Sequence, residues 1–217
     1  MGLPLCARHQ SLYCSPVPLS LPPDVERTAL KEWSVLVDAM ARGEIIAMVR
    51  KGGIREQRAG FAVRHDRFLL YPTFFHEKAA ELAPRFVPLL ESAHARRAPE
   101  GWIRLEYVAE PVAVWRVEAL ASLAAIGHEH GLTWAAVEAR FRYKNKPGVQ
   151  VVAVRMRQVA APVLIPETRR YGGCVSWVEL DDAVNVVGAD PVLDPAELDS
   201  RVGALREALG PPLAEAG

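Results

Sequence analysis

Strand-like and helix-like stretches follow one another in this 217-residue chain without a regular strand–helix–strand alternation. That irregularity limits the fold more than any other feature, because a doubly wound parallel sheet needs a helix after almost every strand. The clearest strand signal is Val149 to Val159, VQVVAVRMRQV. Trp102 to Val117 is also strand material, interrupted by Glu110-Pro111, an edge or turn signal. Glu44 to Val49 reads as a short buried strand between glycines, and Phe61 to Tyr71 as one or two strands around His65-Asp66. The expected class is therefore α+β, a small mixed β-sheet or barrel flanked by helices. Half of the residues are hydrophobic, enough for a real core.

Helix signals fall between these strands. Thr28 can cap a helix through about Arg42, with Ala29, Leu30, Trp33, Leu36, Val37 and Met40 at helical spacing and Gly43 as the stop. A second helix is expected from Phe74 to Ala83, resuming from Leu89 to Arg97 beyond Pro84 and Pro88. Ala119 to Ile126 reads as a helix stopped by Gly127, and Thr133 caps another bearing Trp134, Val137 and Phe141. Asp194-Pro195-Ala196-Glu197 is a capping box with proline at the first helical position, opening a terminal helix to about Leu209. Residues 1–27, rich in Pro, Ser and Leu, are expected to be a poorly ordered extension. The remainder divides into an α+β domain over 28–182 and an acidic helical tail over 183–217.

Charge is unevenly spread. Residues 178–217 hold nine acids against two arginines, a net of −7, so residues 1–177 carry +7 within a neutral chain. Either the tail neutralises the body, or the body serves an anionic partner. No apolar run approaches the roughly 20 residues that span a bilayer, and the N-terminus lacks a secretory pattern. Three cysteines, Cys6, Cys14 and Cys174, match neither a disulfide framework nor a zinc site. A reduced, cytoplasmic protein is expected, with no membrane partner.

The candidate site residues centre on Arg50 to His76. Arg50-Lys51-Gly52-Gly53 is a cationic turn whose glycines allow close approach of a ligand, with backbone N–H groups as an anion nest; a plain glycine turn with an exposed lysine is the alternative. Tyr71, Thr73 and His76 follow, His76 as a catalytic base, polar anchor or structural helix-start residue. Arg155 and Arg157 share one strand face. They belong to a basic stretch of eight cations against one acid between Ala139 and Arg170, interleaved with Phe141 and Tyr143. Cations beside stacking aromatics suit nucleic acid, provided the two basic sets fold onto one face. Cys174 in its Gly-Gly-Cys turn is either a nucleophile or packing. His128-Glu129-His130 reads as a solvated loop rather than a metal site, and neither a metal nor a cofactor is expected. Nuclease-type Asp-x-Lys or Glu-x-Lys, Gly-x-Ser-x-Gly, Gly-x-Gly-x-x-Gly and His-Glu-x-x-His are absent.

Four spaced motifs carry a resemblance. They are Ala29 to Trp33, Arg50 to Ile54, Leu70-Tyr71-Pro72-Thr73 with His76, and Tyr171 to Cys174 with Ser176-Trp177. Together they resemble the bacterial family called domain of unknown function 1802, over about residues 28–182. Some members are linked to restriction-type endonuclease domains, which implies a role near DNA modification or defence. A looser likeness is to PUA-like barrels of the ASCH type, whose strand carries Gly-x-Lys-x-x-Glu-x-Arg. Gly43 and Arg50 stand at matching positions, but Ile45 and Met48 replace the Lys and Glu, so ASCH-like amidohydrolase chemistry is not implied. The leading functional expectation is a nucleic-acid-associated binding module. The alternatives are an enzyme on a small anionic or nucleotide-like substrate, with His76 or Cys174 reacting, and a protein that binds a partner through its acidic tail.

Overall fold

The computed structural model describes residues 25–51, 63, 65–173 and 175–215. Its centre is a mixed eight-stranded sheet. The strands are β1 (Val25–Trp33), β2 (Ala47–Arg50), β3 (Phe68–Thr73), β4 (Trp102–Val117), β5 (Val149–Pro166), β6 (Trp177–Asn185), β7 (Asp190–Pro191) and β8 (Ala214–Glu215). The main path runs β2-β5-β4-β3-β1-β6, with β7 on β5 and β8 on β4. Among the described residues four α-helices flank it: α1 (Ser34–Ala41), α2 (Leu89–Ala95), α3 (Trp134–Arg142) and α4 (Pro195–Leu209). The fold is α+β, as the irregular succession of elements requires. Among the described residues no helix is long and apolar enough to cross a membrane.

The backbone of the sheet is the β4–β5 pair, antiparallel from Trp102 opposite Pro166 to Val117 opposite Val149. Register shifts between Leu105 and Tyr107 and between Pro111 and Ala113 absorb the prolines, and β5 runs on past Pro162. β3 shows the two-residue period plainly. Phe68 and Leu70 lie in one apolar cluster with Trp115, Phe86 and Met40, whereas Leu69 and Tyr71 lie in a second with Leu105, Tyr171 and Leu180. Each fully buried side chain of this size contributes about 1.5–3 kcal/mol.

The expected helix from Thr28 is instead strand β1 followed directly by α1. Ala29 and Leu30 satisfy helical and extended spacing alike, and long-range pairing decides: β1 is laddered on both sides, parallel to β3 and antiparallel to β6. The α1 stop is as expected. Gly43 has φ +68°, and the Gly43 and Glu44 amides donate to Met40 and Ala39 carbonyls at 2.9 and 3.0 Å. Phe74 to Ala83 is not a helix, because His76 sits at φ +66°, outside the right-handed helical region. Only short 3-10 turns occur there and at Leu120–Ala124. Thr133 and Asp194 cap α3 and α4, accepting from Ala136 and Ala196 N–H.

The expected boundary after residue 182 falls inside β6. Beyond it, α4 is packed onto the body. Leu198, Val202 and Leu205 join the cluster that holds Trp115, and the Trp115 indole N–H donates to the Gly210 carbonyl at 2.8 Å.

A candidate ligand-binding cleft

β1 and β3 run parallel and leave the sheet together, Trp33 beside Thr73 and Lys31 beside Tyr71. The end of β2, the segment before β4, and residues 167–173 and 175–176 close around this point. The result is a cleft of about 840 Å³, within the size range of small-ligand sites.

Its floor is charged. Arg50 at the end of β2 donates to Glu32 Oε2 at 2.9 Å and to the Lys31 carbonyl at 3.1 Å. The other Glu32 oxygen accepts the Trp33 N–H at 2.9 Å. Arg140, in the last turn of α3, reaches in from behind, donates to the Val49 carbonyl at 3.2 Å and lies 5.2 Å from the Trp33 ring centre. Burial lowers the Arg140 pKa; Glu32 opposes that and Arg50 adds to it.

One wall is phenolic. Tyr71 Oη donates to Glu167 Oε1 at 3.4 Å, and burial, then the Glu167 charge, holds its pKa far above the ordinary value. The Tyr71 group is thus a hydrogen-bond donor at any physiological pH. Tyr171 packs edge-on to Tyr71, and the Lys31 ammonium sits 5.4 Å from the Tyr71 ring centre while donating to the Tyr171 and Gly173 carbonyls. Thr73 Oγ1 donates to the Glu32 carbonyl at 3.1 Å.

The rim is aromatic. Phe75 is 76% exposed and Trp102 45% exposed, both bordering the opening. The His76 ring lies against Phe75 at 3.9 Å between centres, tilted by 57°, and the Arg97 guanidinium lies 5.0 Å from the Phe74 ring centre.

Of the residues singled out in the sequence, Arg50, Lys51, Tyr71, Thr73 and His76 border this cleft. Gly52, Gly53 and Cys174 lie outside the described residues. Lys51 has its ammonium donors spent on the Phe141, Lys146 and Gly148 carbonyls, the first at 2.9 Å and the last at 2.5 Å. Burial, then Arg116 and Lys146, lower its pKa. It fastens the β2 end to the α3–β5 connection rather than reaching for a ligand. Arg155 and Arg157 are not among the cleft residues; both pair with Glu110 across the β4–β5 ladder, at 3.4 and 3.3 Å. Of the later basic stretch, Arg140 meets Arg50 and Lys51 at the cleft, whereas Arg155 and Arg157 do not. His128-Glu129-His130 is not a solvated loop, since Glu129 and His130 are buried. Among the described residues no three His, Cys, Asp or Glu converge as metal ligands.

Sequence reasoning passed over Lys31, Glu32, Arg97, Trp102 and Glu167, and counted Arg140 only as one charge in a basic stretch. Lys31 and Glu32 lie in the first of the four recognised motifs, which is the signal available for them. No spacing links the others to the rest.

The molecule is thus an α+β protein with an arginine-floored, aromatic-rimmed cleft where two parallel strands end. Residues 29–204 match the family described as Domain of unknown function (DUF1802), and the chain belongs to that family. No curated protein sequence matches it. Among solved structures, a mutant ZmASCH protein from Zymomonas mobilis aligns over 84% of this chain and 98% of its own, at 12% identity and a TM-score of 0.42. A likeness that loose carries no argument about this chain.

Proposed function

We propose that the cleft is a nucleic-acid-binding site that takes an unpaired nucleotide of a single strand. One observation carries the reading: exposed Phe75 and Trp102 stand at the same opening as His76 and Arg97, with Lys31, Arg50 and Arg140 deeper in. Bases stack on aromatic and guanidinium planes, while cations meet the backbone phosphates. A volume of about 840 Å³ suits one or two nucleotides and not a duplex. A link to DNA modification or defence rests on family resemblance alone.

Fluorescence anisotropy with labelled single-stranded RNA, single-stranded DNA and duplex DNA across a salt series tests this. Single strands are expected to bind more tightly than the duplex, with affinity falling as salt rises. Phe75→Ala and Trp102→Ala each remove a stacking plane worth about 1–3 kcal/mol, a loss of roughly fivefold to 150-fold in affinity. Affinity flat with salt, or indifferent to both substitutions, would remove the proposal.

His76 favours a second reading, an enzyme acting on a small anionic or nucleotide-like substrate. Its left-handed backbone at the rim stores strain of about 1–3 kcal/mol. Under that reading His76→Ala suppresses product formation from a nucleotide-like substrate and spares its binding. Equal turnover by the variant ends the reading.

A further inference from the structure

The two arginines on the cleft floor are not equally matched. Arg50 has Glu32 at 2.9 Å. Arg140 has no carboxylate within ion-pair distance among the described residues, and one hydrogen bond there, to the Val49 carbonyl. A guanidinium carries five N–H donors in a planar fork, and Arg140, half-buried on the cleft lining, spends one of them on protein, which leaves the others for a ligand in the cleft. The Trp33 ring lies 5.2 Å from the guanidinium carbon as a cation–π neighbour.

A second group points the same way. Arg140 borders both the cleft and a cavity of about 10 Å³ behind it, and His130 borders that same cavity while only 3% exposed. His130 Nδ1 accepts the Leu132 N–H at 3.3 Å. Burial, reinforced by Arg140 and Arg85, drives the imidazole pKa down to about 4, so the ring is neutral and keeps its one proton on Nε2. That Nε2 is buried and has no partner among the described residues. A cation with spare donors thus stands at the inner end of the cleft, an unmet His130 donor borders the cavity behind it, and the nearest carboxylate, Glu32, already pairs with Arg50.

We propose that the inner end of the cleft is an oxyanion subsite, with the Arg140 guanidinium as its principal donor and Arg50 as the flanking charge. The group it takes is a phosphate monoester or a carboxylate at the end of a ligand whose body lies against the aromatic rim. This rests on the nucleotide reading above and narrows it. A nucleotide ligand enters by a terminal phosphate, as a mononucleotide or a phosphorylated strand end does, and not by an internal phosphodiester.

Calorimetric titration of the full chain tests this with a nucleoside, its 5′-monophosphate, inorganic phosphate and acetate. The monophosphate is expected to bind at least about tenfold more tightly than the nucleoside, the value of one charge-assisted pair, and inorganic phosphate to compete with it. Arg140→Gln is expected to erase that preference. Arg140→Lys keeps one charge and the stem and retains part of it, which guards against a variant that fails to fold. Equal binding of nucleoside and monophosphate, a preference that survives Arg140→Gln, or no binding of any of the three anions would overturn the subsite. Acetate matching phosphate assigns the subsite to a carboxylate ligand. Phosphate binding that depends on Arg140 in a protein that ignores oligonucleotides keeps the subsite and removes the nucleic-acid reading. Oligonucleotides that bind equally with and without a terminal phosphate do the reverse.

Discussion

Arg201 shows how much a single side chain does here. From the middle of α4 it donates to both oxygens of buried Glu129, at 3.0 and 2.5 Å, and to the Gly43 and Glu44 carbonyls at 2.5 and 3.2 Å. It ties down the turn after α1 and neutralises a buried carboxylate at once. Breaking one partner of such a pair costs about 3–5 kcal/mol, because the other charge stays buried. Arg201→Ala is expected to lower the urea midpoint accordingly, and a midpoint within error of the parent would contradict this account. His130, beside Glu129, supplies a pH dependence. Its unfolded pKa is about 6.5 and its folded value about 4, so between these limits the unfolded chain takes up a proton that the folded one does not. The associated stability is complete above the unfolded value and is lost as pH falls toward the folded one. Between pH 7 and pH 5 the loss is about 2 kcal/mol. His130→Asn is expected to shrink the measured difference in unfolding free energy between those two pH values by that amount.

At the scale of elements, α1 starts without a cap of its own, since Trp33 offers no side-chain acceptor. Glu77, from the turn after β3, does the work from 43 residues away. It accepts from Ser34 Oγ at 2.9 Å and Val35 N–H at 3.0 Å, while its second oxygen takes the His94 Nε2 contact at 2.7 Å. A carboxylate at a helix N-terminus is favoured by the unpaired amides and the helix dipole. This also accounts for the missing helix after Thr73: the chain must turn at His76 to deliver Glu77. Glu77→Ala is expected to cost about 1–2 kcal/mol, and to speed hydrogen exchange at Val35 and Leu36 before any other part of α1. Gly131 marks a second tight junction, where a Cβ would press into Leu36 Cδ2 with Phe86 and Ile45 close behind. Gly131→Ala is expected to cost about 1–3 kcal/mol as overpacking, read from thermal unfolding.

For the whole molecule, α4 completes the body. Its Leu198, Val202 and Leu205 are buried in the main core, leaving Glu197, Asp199 and Glu207 on the outside for any partner. Three such side chains contribute roughly 5–9 kcal/mol, as much as the net stability of many domains. Removing residues 194–217 also strips Glu129 of Arg201. The shortened chain is expected to lose its cooperative unfolding transition; a sharp transition near that of the full chain would show that the helix is dispensable.

The features legible in the sequence are those set by interactions close along the chain. The Thr133 and Asp194 caps, the Gly43 stop and the alternating run of β5 each depend on a few neighbouring residues, and each is where it was expected; β4 instead runs unbroken through Glu110-Pro111, with only a register shift after Pro111. The family resemblance likewise marked Lys31 to Trp33, Tyr71 to Thr73 and His76, which border the cleft, but left Phe75 unmarked. Tertiary structure alone decided the rest. Ala29 and Leu30 became strand because β3 and β6 offered hydrogen bonds on both sides. Arg155 and Arg157 were drawn to Glu110, and Lys51 to three carbonyls. Arg140 ended against Trp33, more than a hundred residues away, without a carboxylate of its own among the described residues. A charge pattern records how many cations a chain has; which of them remain unmatched depends on what each meets after folding.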